Sequence, residues 1–390
     1  MNNYINPNIN ENKAFDRRCW AEIDLDKLAF NLNSIKRQCP DKEPIMVVKA
    51  NAYGHSDVIC AKEYYRLGER RFAVSNLHEA ERLRNITGDR SCFLLVFGYV
   101  EESRFEDILR LDLTVSLGST EFARRLGRFA EKKGVKIKAN IAVDTGMSRV
   151  GVRTAEEIEE IMNLKGFEIT GIYFHFAAAD MPEEEHKRFT LGQYDKFVSL
   201  TEKYALPFHC LNSGGIAFYP RLGGEMMRPG LILFGVSANP STESTLELKQ
   251  VMTLKSVIDQ IKIIPKGTDI GYGRTYTTDR EQVIALVPVG YADGYSRKLS
   301  NKGIVEVNGV LCPVRGRICM DQMMVDVTAA GAVVGDEVVL FGDRFKETSL
   351  DYAAGLIGET ITHELICGIS ARVPRVAVRN GEVVEVVCER

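Results

Sequence analysis

Eight short apolar runs, most followed by a helical stretch, recur over roughly 230 residues, and this alternation constrains the fold more than any other feature. The runs are 45–49, 72–76, 92–97, 113–117, 138–144, 169–176, 208–212 and 228–234. Amphipathic segments such as 78–84 and 122–129 lie between them. Repeated strand–helix alternation builds a parallel sheet with helices outside it. Eight units match a (β/α)8 barrel, and this is the expected fold of the first region. An open doubly wound sheet ranks second, because the first strand–helix junction carries no G-x-G-x-x-G. Upstream, 20–25 alternates and runs into a helical pattern through Leu28, Leu32 and Ile35.

After about Leu248 the pattern changes. The stretch 251–264 alternates, and 283–289, 304–307, 325–327, 337–341, 376–378 and 383–387 are short apolar runs without long helices between them. One helical segment, roughly 350–357, interrupts them. This is the signature of a separate, mainly β domain. The polar stretch 237–245, which contains Pro240, serves as the linker. The expected organisation is a flexible leader over 1–18, a barrel over 19–248 and a β domain over 249–390.

Composition narrows the chemistry. The formal net charge of −3 offers no basic field for nucleic acid or a membrane surface. No apolar stretch approaches the ~20 residues that span a bilayer. The Asn-rich start lacks the apolar core of a signal peptide, so a cytoplasmic location is expected. Nine scattered cysteines form no C-x-x-C pair, and six histidines show no ligand spacing, so no metal site is expected. Hard chemistry then needs an organic cofactor or plain acid–base groups.

Active-site residues of such barrels sit at the C-terminal ends of the strands. There the chain places Lys49, Asp144, His175 and Asn212-Ser213, with Arg149 just beyond the fifth run and Arg228-Pro229-Gly230 at the start of the eighth. A lysine at the end of a buried strand is partly desolvated, which makes its neutral, nucleophilic amine easier to reach. A Schiff-base lysine needs that property. The plain alternative is a lysine that snorkels from the strand end into solvent.

Nine motifs then fall in order along most of the chain: 48–55 (VKANAYGH), 143–149 (VDTGMSR), 175–177 (HFA), 212–213 (NS), 228–230 (RPG), 271–276 (GYGRTY), 290–295 (GYADGY), 319–322 (CMDQ) and 372–375 (RVPR). Together they resemble the alanine racemase family, whose members have a pyridoxal-phosphate (PLP) barrel and a C-terminal β domain. The resemblance implies a homodimer with composite sites, alanine as the small amino-acid substrate and D-alanine for peptidoglycan as the role. It implies that Lys49 holds PLP and acts as a base on one face of the substrate Cα. Tyr272, contributed by the second subunit, covers the other face. A phenol holds its proton well above neutral pH, so a tyrosine base needs nearby positive charge or hydrogen bonds. The resemblance gives His175 and Arg228 that supporting task, with Arg228 also facing the pyridine nitrogen. It assigns the phosphate to Tyr53, Ser213 and the amides of Gly230 and Leu231, with Asn212 beside them. Arg149 and Met320 correspond to residues at the substrate carboxylate, Tyr291 to an entrance gate and Asp321 to an orienting neighbour. Taken alone, Tyr272 between Gly271 and Gly273 is a turn aromatic.

Two positions depart from the family pattern. Relatives commonly carry a lysine, often carbamylated, where this chain has Ala142, so Arg149 must find another anion, such as chloride, or be more mobile. Relatives commonly carry a pocket tyrosine where this chain has Ala371. That change predicts acceptance of serine or a larger amino acid beside alanine, since a pocket rejects an added hydroxyl only weakly. The rivals are therefore a serine or broad-specificity racemase and a non-catalytic PLP-binding protein that manages cofactor supply. A PLP decarboxylase ranks lower, because an arginine at 228 makes a weak electron sink.

Overall fold

The computed structural model describes residues 15, 17–242 and 244–388. Most of the expected leader, 1–14 and 16, lies outside the described residues. Its last residue is fixed rather than loose: Arg18 donates to the Pro288 carbonyl at 2.7 Å and pairs with the buried Asp293.

The barrel is present. Glu43–Pro44 and Met46–Val47 are two halves of one strand; the first pairs with Met226–Met227 and the second with Arg71–Val74. The sheet therefore closes on itself, running through Phe93–Val96, Thr114–Leu117, Ile137–Ala142, Phe167–Tyr173 and Phe208–His209, all parallel. Alternation along the first strand sorts its side chains: Ile45 and Val47 join a small inner cluster with Ala73, Leu95 and Met226. Met46 and Val48 face outward into the main core beneath the helices.

Two parts of the barrel differ from expectation. The eighth strand is Met226–Met227, just before the expected run 228–234, and within that run Leu231–Phe234 is a 3-10 helix instead. Pro229 accepts from the Val47 amide at 3.0 Å but has no N–H to donate, so the ladder stops there. The first run ends as strand at Val47, one residue short of a tight turn that carries Lys49.

The second sheet has ten strands. Cys19–Asp24, expected at the start of the barrel, belongs to this sheet instead: it pairs antiparallel with Met252–Val257 and parallel with Arg375–Arg379. Its position is set by long-range pairing, while the next residues turn straight into the barrel helix Leu25–Gln38, capped by Asp24 through the Asp26 and Lys27 amides at 3.0 Å. The expected helix Leu350–Ile357 forms, and a further short helix, Thr362–Cys367, follows it. Among the described residues no helix is long and apolar enough to cross a membrane.

Candidate active site

A cavity of about 630 Å³ opens at the C-terminal ends of the barrel strands. Lys49, Tyr53, Arg149, His175, Asn212, Ser213, Arg228, Gly230 and Leu231 all line it.

Lys49 opens a left-handed turn. Ala50, Asn51, Ala52 and Tyr53 have φ of 51°, 55°, 51° and 53°. Such a conformation costs L-residues roughly 1–2 kcal/mol each, so surrounding contacts must hold it. The Ala50 amide donates to Glu79 Oε1 at 2.8 Å, and Asn51 Oδ1 accepts from the Asp57 amide at 2.8 Å. Arg375 Nε donates to the Gly54 carbonyl at 3.0 Å. Strain of this kind clusters at functional sites. Here it turns Lys49 and Tyr53 into the same cavity. Burial and the nearby Arg149 push the Lys49 amine below its ordinary pKa.

The floor is a buried hydrogen-bonded unit around Arg228. Its Nη1 donates to His209 Nδ1 at 2.6 Å and to the His209 carbonyl at 2.5 Å; its Nη2 donates to the Phe174 carbonyl at 2.7 Å. With Nδ1 accepting, His209 donates from Nε2 to Asn140 Oδ1 at 2.9 Å, and Asn140 Nδ2 donates to Thr170 Oγ1 at 2.9 Å. Tyr173 stacks on the His209 ring at 4.8 Å, shares a 2.6 Å hydrogen bond with Ser116 and lies 5.1 Å beneath the guanidinium. Burial lowers the Arg228 pKa to about 10, which still leaves a cation at neutral pH. Its fifth donor, Nε, makes no hydrogen bond among the described residues. His175 lies beside this unit, 3.5 Å from Arg228 and 3.3 Å from the Asn212 amide. Burial and the cations Arg228, Arg149 and Lys49 hold it neutral.

At another part of the wall, three polar groups converge. A Cβ on Gly230 would lie 2.6 Å from Tyr53 Oη and 3.8 Å from Ser213 Oγ, so glycine is needed there for close approach. The Gly230 amide faces Ser213 Oγ at 3.4 Å. Hydroxyls and amide meeting without a Cβ between them make a cradle for a tetrahedral anion.

Arg149 is exposed and makes no hydrogen bond or ion pair among the described residues, and Ala142, which lines the same cavity, is buried. Asp144 shapes this loop by accepting from the Gly146 and Ser148 amides at 3.0 and 2.9 Å.

Five residues singled out from the sequence do not line this chain's cavity: Tyr272, Tyr291, Met320, Asp321 and Ala371. Tyr272, Tyr291 and Met320 are 73%, 42% and 53% exposed. They share one face of the second domain. The Tyr291 and Ala292 amides donate to the Cys319 and Met320 carbonyls at 3.1 and 3.0 Å, and the turn holding Tyr272 packs on Arg317. Asp321 accepts from Arg372 at 2.7 Å, and Arg372 also reaches Asp293 at 2.8 Å. Ala371, expected to open the pocket, is exposed outside it; Arg372 and Arg375, which follow it, fix the segment through Asp293 and the Ser370 and Val373 carbonyls.

The sequence did not single out His209, Tyr173 or Asn140, nor His363 and Cys367, which line the cavity from the second domain. His209 carried one signal, a titratable side chain inside a candidate strand. The others sit in runs that look like ordinary core or surface.

Residues 23–238 match the family model for the alanine racemase N-terminal domain, and 251–377 match that for its C-terminal domain. An alanine racemase of Halothermothrix orenii is 42% identical over 377 residues, covering 93% of this chain and 98% of that one. Among solved structures, alanine racemase from Bacillus anthracis with bound L-Ala-P superposes with a TM-score of 0.87 at 32% identity, covering 96% of this chain and 98% of that one. Alanine racemase from Bartonella henselae with covalently bound pyridoxal phosphate gives 0.83 at 28% identity, covering 92% and 99%. With two domain models spanning most of its length and near-complete overlap with these relatives, the chain belongs to the alanine racemase family.

Proposed function

We propose that this chain is a PLP-dependent racemase interconverting L- and D-alanine, and that it works as a homodimer with composite sites. The observation that carries the reading is Lys49 facing a cavity floored by a locked arginine instead of a carboxylate.

The residues present fit PLP. Tyr53, Ser213 and the amides of Gly230 and Leu231 would hold its phosphate, and the Gly230 cradle has the room and donors for it. Arg228 would face its ring nitrogen and Lys49 would hold it covalently. Bound PLP withdraws electrons from the substrate and makes its Cα proton removable. Arg228 donates hydrogen bonds without giving up a proton, which moderates that withdrawal and disfavours side reactions. Lys49, with its lowered pKa, can move a proton at the Cα on one face. Racemisation needs a second carrier on the other face, and the partner's Tyr272 is the residue proposed for it. Arg149, with the partner's Met320, would meet the substrate carboxylate. The partner's Tyr291 would stand at the entrance.

The exposure of Tyr272, Tyr291 and Met320 on one face supports the composite site, since a lone chain would leave three large side chains in water. Ala371 gives no support to a serine-accepting pocket, because it does not line the cavity, so alanine is the substrate expected. The match of most of the second domain weighs against a cofactor carrier, which has no need of a second proton carrier. A cytoplasmic role supplying D-alanine for peptidoglycan rests on family membership.

Purified protein with PLP should drive the optical rotation of L-alanine to zero. A protein that binds PLP and leaves the rotation unchanged would overturn the racemase reading.

A further inference from the structure

Lys49 sits between two fixed points. The Val48 amide before it donates to the Ala73 carbonyl at 3.0 Å, and the Ala50 amide after it donates to Glu79 Oε1 at 2.8 Å. The other carboxylate oxygen, Oε2, accepts from the Ser75 amide at 2.6 Å, just past the strand Arg71–Val74. One side chain thus ties the residue after the lysine to the end of the neighbouring strand.

A glutamate at this place ordinarily serves its own helix. Glu79 is the third residue of the helix Leu77–Thr87, whose N-cap is Asn76. A carboxylate there commonly reaches back to the N-cap amide. Here the Asn76 side chain caps the helix, accepting from the Glu79 amide at 3.0 Å, and the Glu79 carboxylate turns to two amides outside the helix. The far end of the left-handed turn is held separately. A Cβ on Gly54 would lie 2.1 Å from the Ile366 carbonyl oxygen, and Arg375 donates to the Gly54 carbonyl at 3.0 Å. The near end, where the amine leaves the backbone, is held by Glu79. Four successive residues at positive φ keep that shape only while such anchors over-determine it.

The charge of Glu79 also reaches the amine. Arg149, His175, His363, Cys367 and Glu79 surround Lys49 electrostatically. Burial and neighbouring cations favour the neutral forms of His175 and His363, and burial pushes the Cys367 thiol up. Arg149 and Glu79 are left as standing charges of opposite sign. Burial lowers the Lys49 pKa first, Arg149 adds to that, and Glu79 opposes it by favouring the ammonium.

We propose that Glu79 is a positioning residue for Lys49, bridging the lysine's turn to the neighbouring strand end so that the amine stays aimed into the cavity. The inference rests on the reading that Lys49 captures PLP. The carboxylate does two separable things: its reach fixes the turn, and its charge offsets Arg149.

The test is the rate of PLP capture by the apo-protein stripped from the holoenzyme, followed by stopped-flow absorbance across pH, with circular dichroism confirming the fold. Glu79→Asp keeps the charge and is one methylene too short to span both amides. Glu79→Gln keeps the length, loses the charge and has one acceptor oxygen in place of two. Both variants should capture PLP about tenfold more slowly on the high-pH plateau, the size of a lost hydrogen bond to a charged group. The midpoint of the pH dependence should fall in Glu79→Gln, because the ammonium loses a favourable charge, and stay near the wild-type midpoint in Glu79→Asp. A glutamate that only supported the fold would slow capture without moving the midpoint. A plateau rate within about twofold of wild type in either variant, or a Glu79→Gln midpoint that stays put or rises, would overturn the proposal. A wild-type protein that captures no PLP would sink the parent reading instead.

Discussion

The floor of the cavity and the exposed face of the second domain carry the same kinds of residue, but they are built in opposite ways. Around Arg228, each polar group is fixed by another: Thr170 to Asn140, Asn140 to His209, His209 to the guanidinium. The unit is buried and finished within one chain. Tyr272 stands 73% exposed on a turn whose Gly271 and Gly273 have φ of 72° and 70°. Its loops are well anchored, yet its ring touches no cavity of its own. A finished floor sets what the cofactor site can do before anything binds. On the proposed reading, the exposed face is completed by a second subunit. The contrast teaches that rigidity and chemistry are supplied here by different parts of the chain.

The sharpest test of the contrast is to damage each side and compare activity with stability. Tyr272→Phe should lower the racemisation rate by about a thousandfold, within the range for losing one positioned acid–base group. It should leave thermal stability within about 0.5 kcal/mol, as expected for an exposed position. PLP content should also be unchanged. A large stability loss would mean that Tyr272 is structural.

Arg228→Met should do the reverse in character. The Phe174 and His209 carbonyls and His209 Nδ1 lose their donors in the interior, so stability should fall by about 2–4 kcal/mol. Denaturant unfolding measures it. A change below 0.5 kcal/mol would contradict the picture of a locked floor (about that size is typical of exposed sites).

The smallest effect concerns Arg149. Only the neutral Lys49 amine captures PLP, so the capture rate of the apo-protein should rise with pH. Burial and Arg149 both lower the Lys49 pKa, so the midpoint should fall below the ordinary lysine value of 10.5. Arg149→Met removes one of these causes and should move the midpoint upward, part of the way back. Stopped-flow absorbance across pH reads both. A midpoint unmoved by the substitution would show that burial alone sets it.

Much of this molecule was legible in the sequence, for reasons that differ between its parts. The barrel showed because each strand is a short apolar run and each helix has its own period; the closed parallel sheet follows from repeating that unit. The second domain showed because that period changes after the linker. Cys19–Asp24 was misplaced because its neighbours in the sheet lie more than two hundred residues away. Thr362–Cys367 was missed because six residues are too few to display a helical period. The left-handed run at 50–53 was hidden for another reason. Ala50 and Ala52 have no local preference for positive φ, so the conformation comes from Glu79, Arg375 and the helix packed on Gly54. In the site, Lys49 stood out by residue type at a strand end, whereas Arg228 and Gly230, expected at the start of the eighth run, stood out through the family resemblance. Tyr173 and His209 did not, because a buried aromatic layer under an arginine looks like ordinary core in sequence.

The central claim is that one complete site takes Lys49 from one subunit and Tyr272 from the other. Lys49→Ala and Tyr272→Phe subunits, each nearly inactive alone, can be unfolded together, refolded as a mixture and assayed for alanine racemisation. Random pairing puts one intact site in each mixed dimer, so the mixture should regain about a quarter of wild-type activity. A mixture with demonstrated mixed dimers that stays as inactive as its parents would place both residues in the same chain's site and contradict the account.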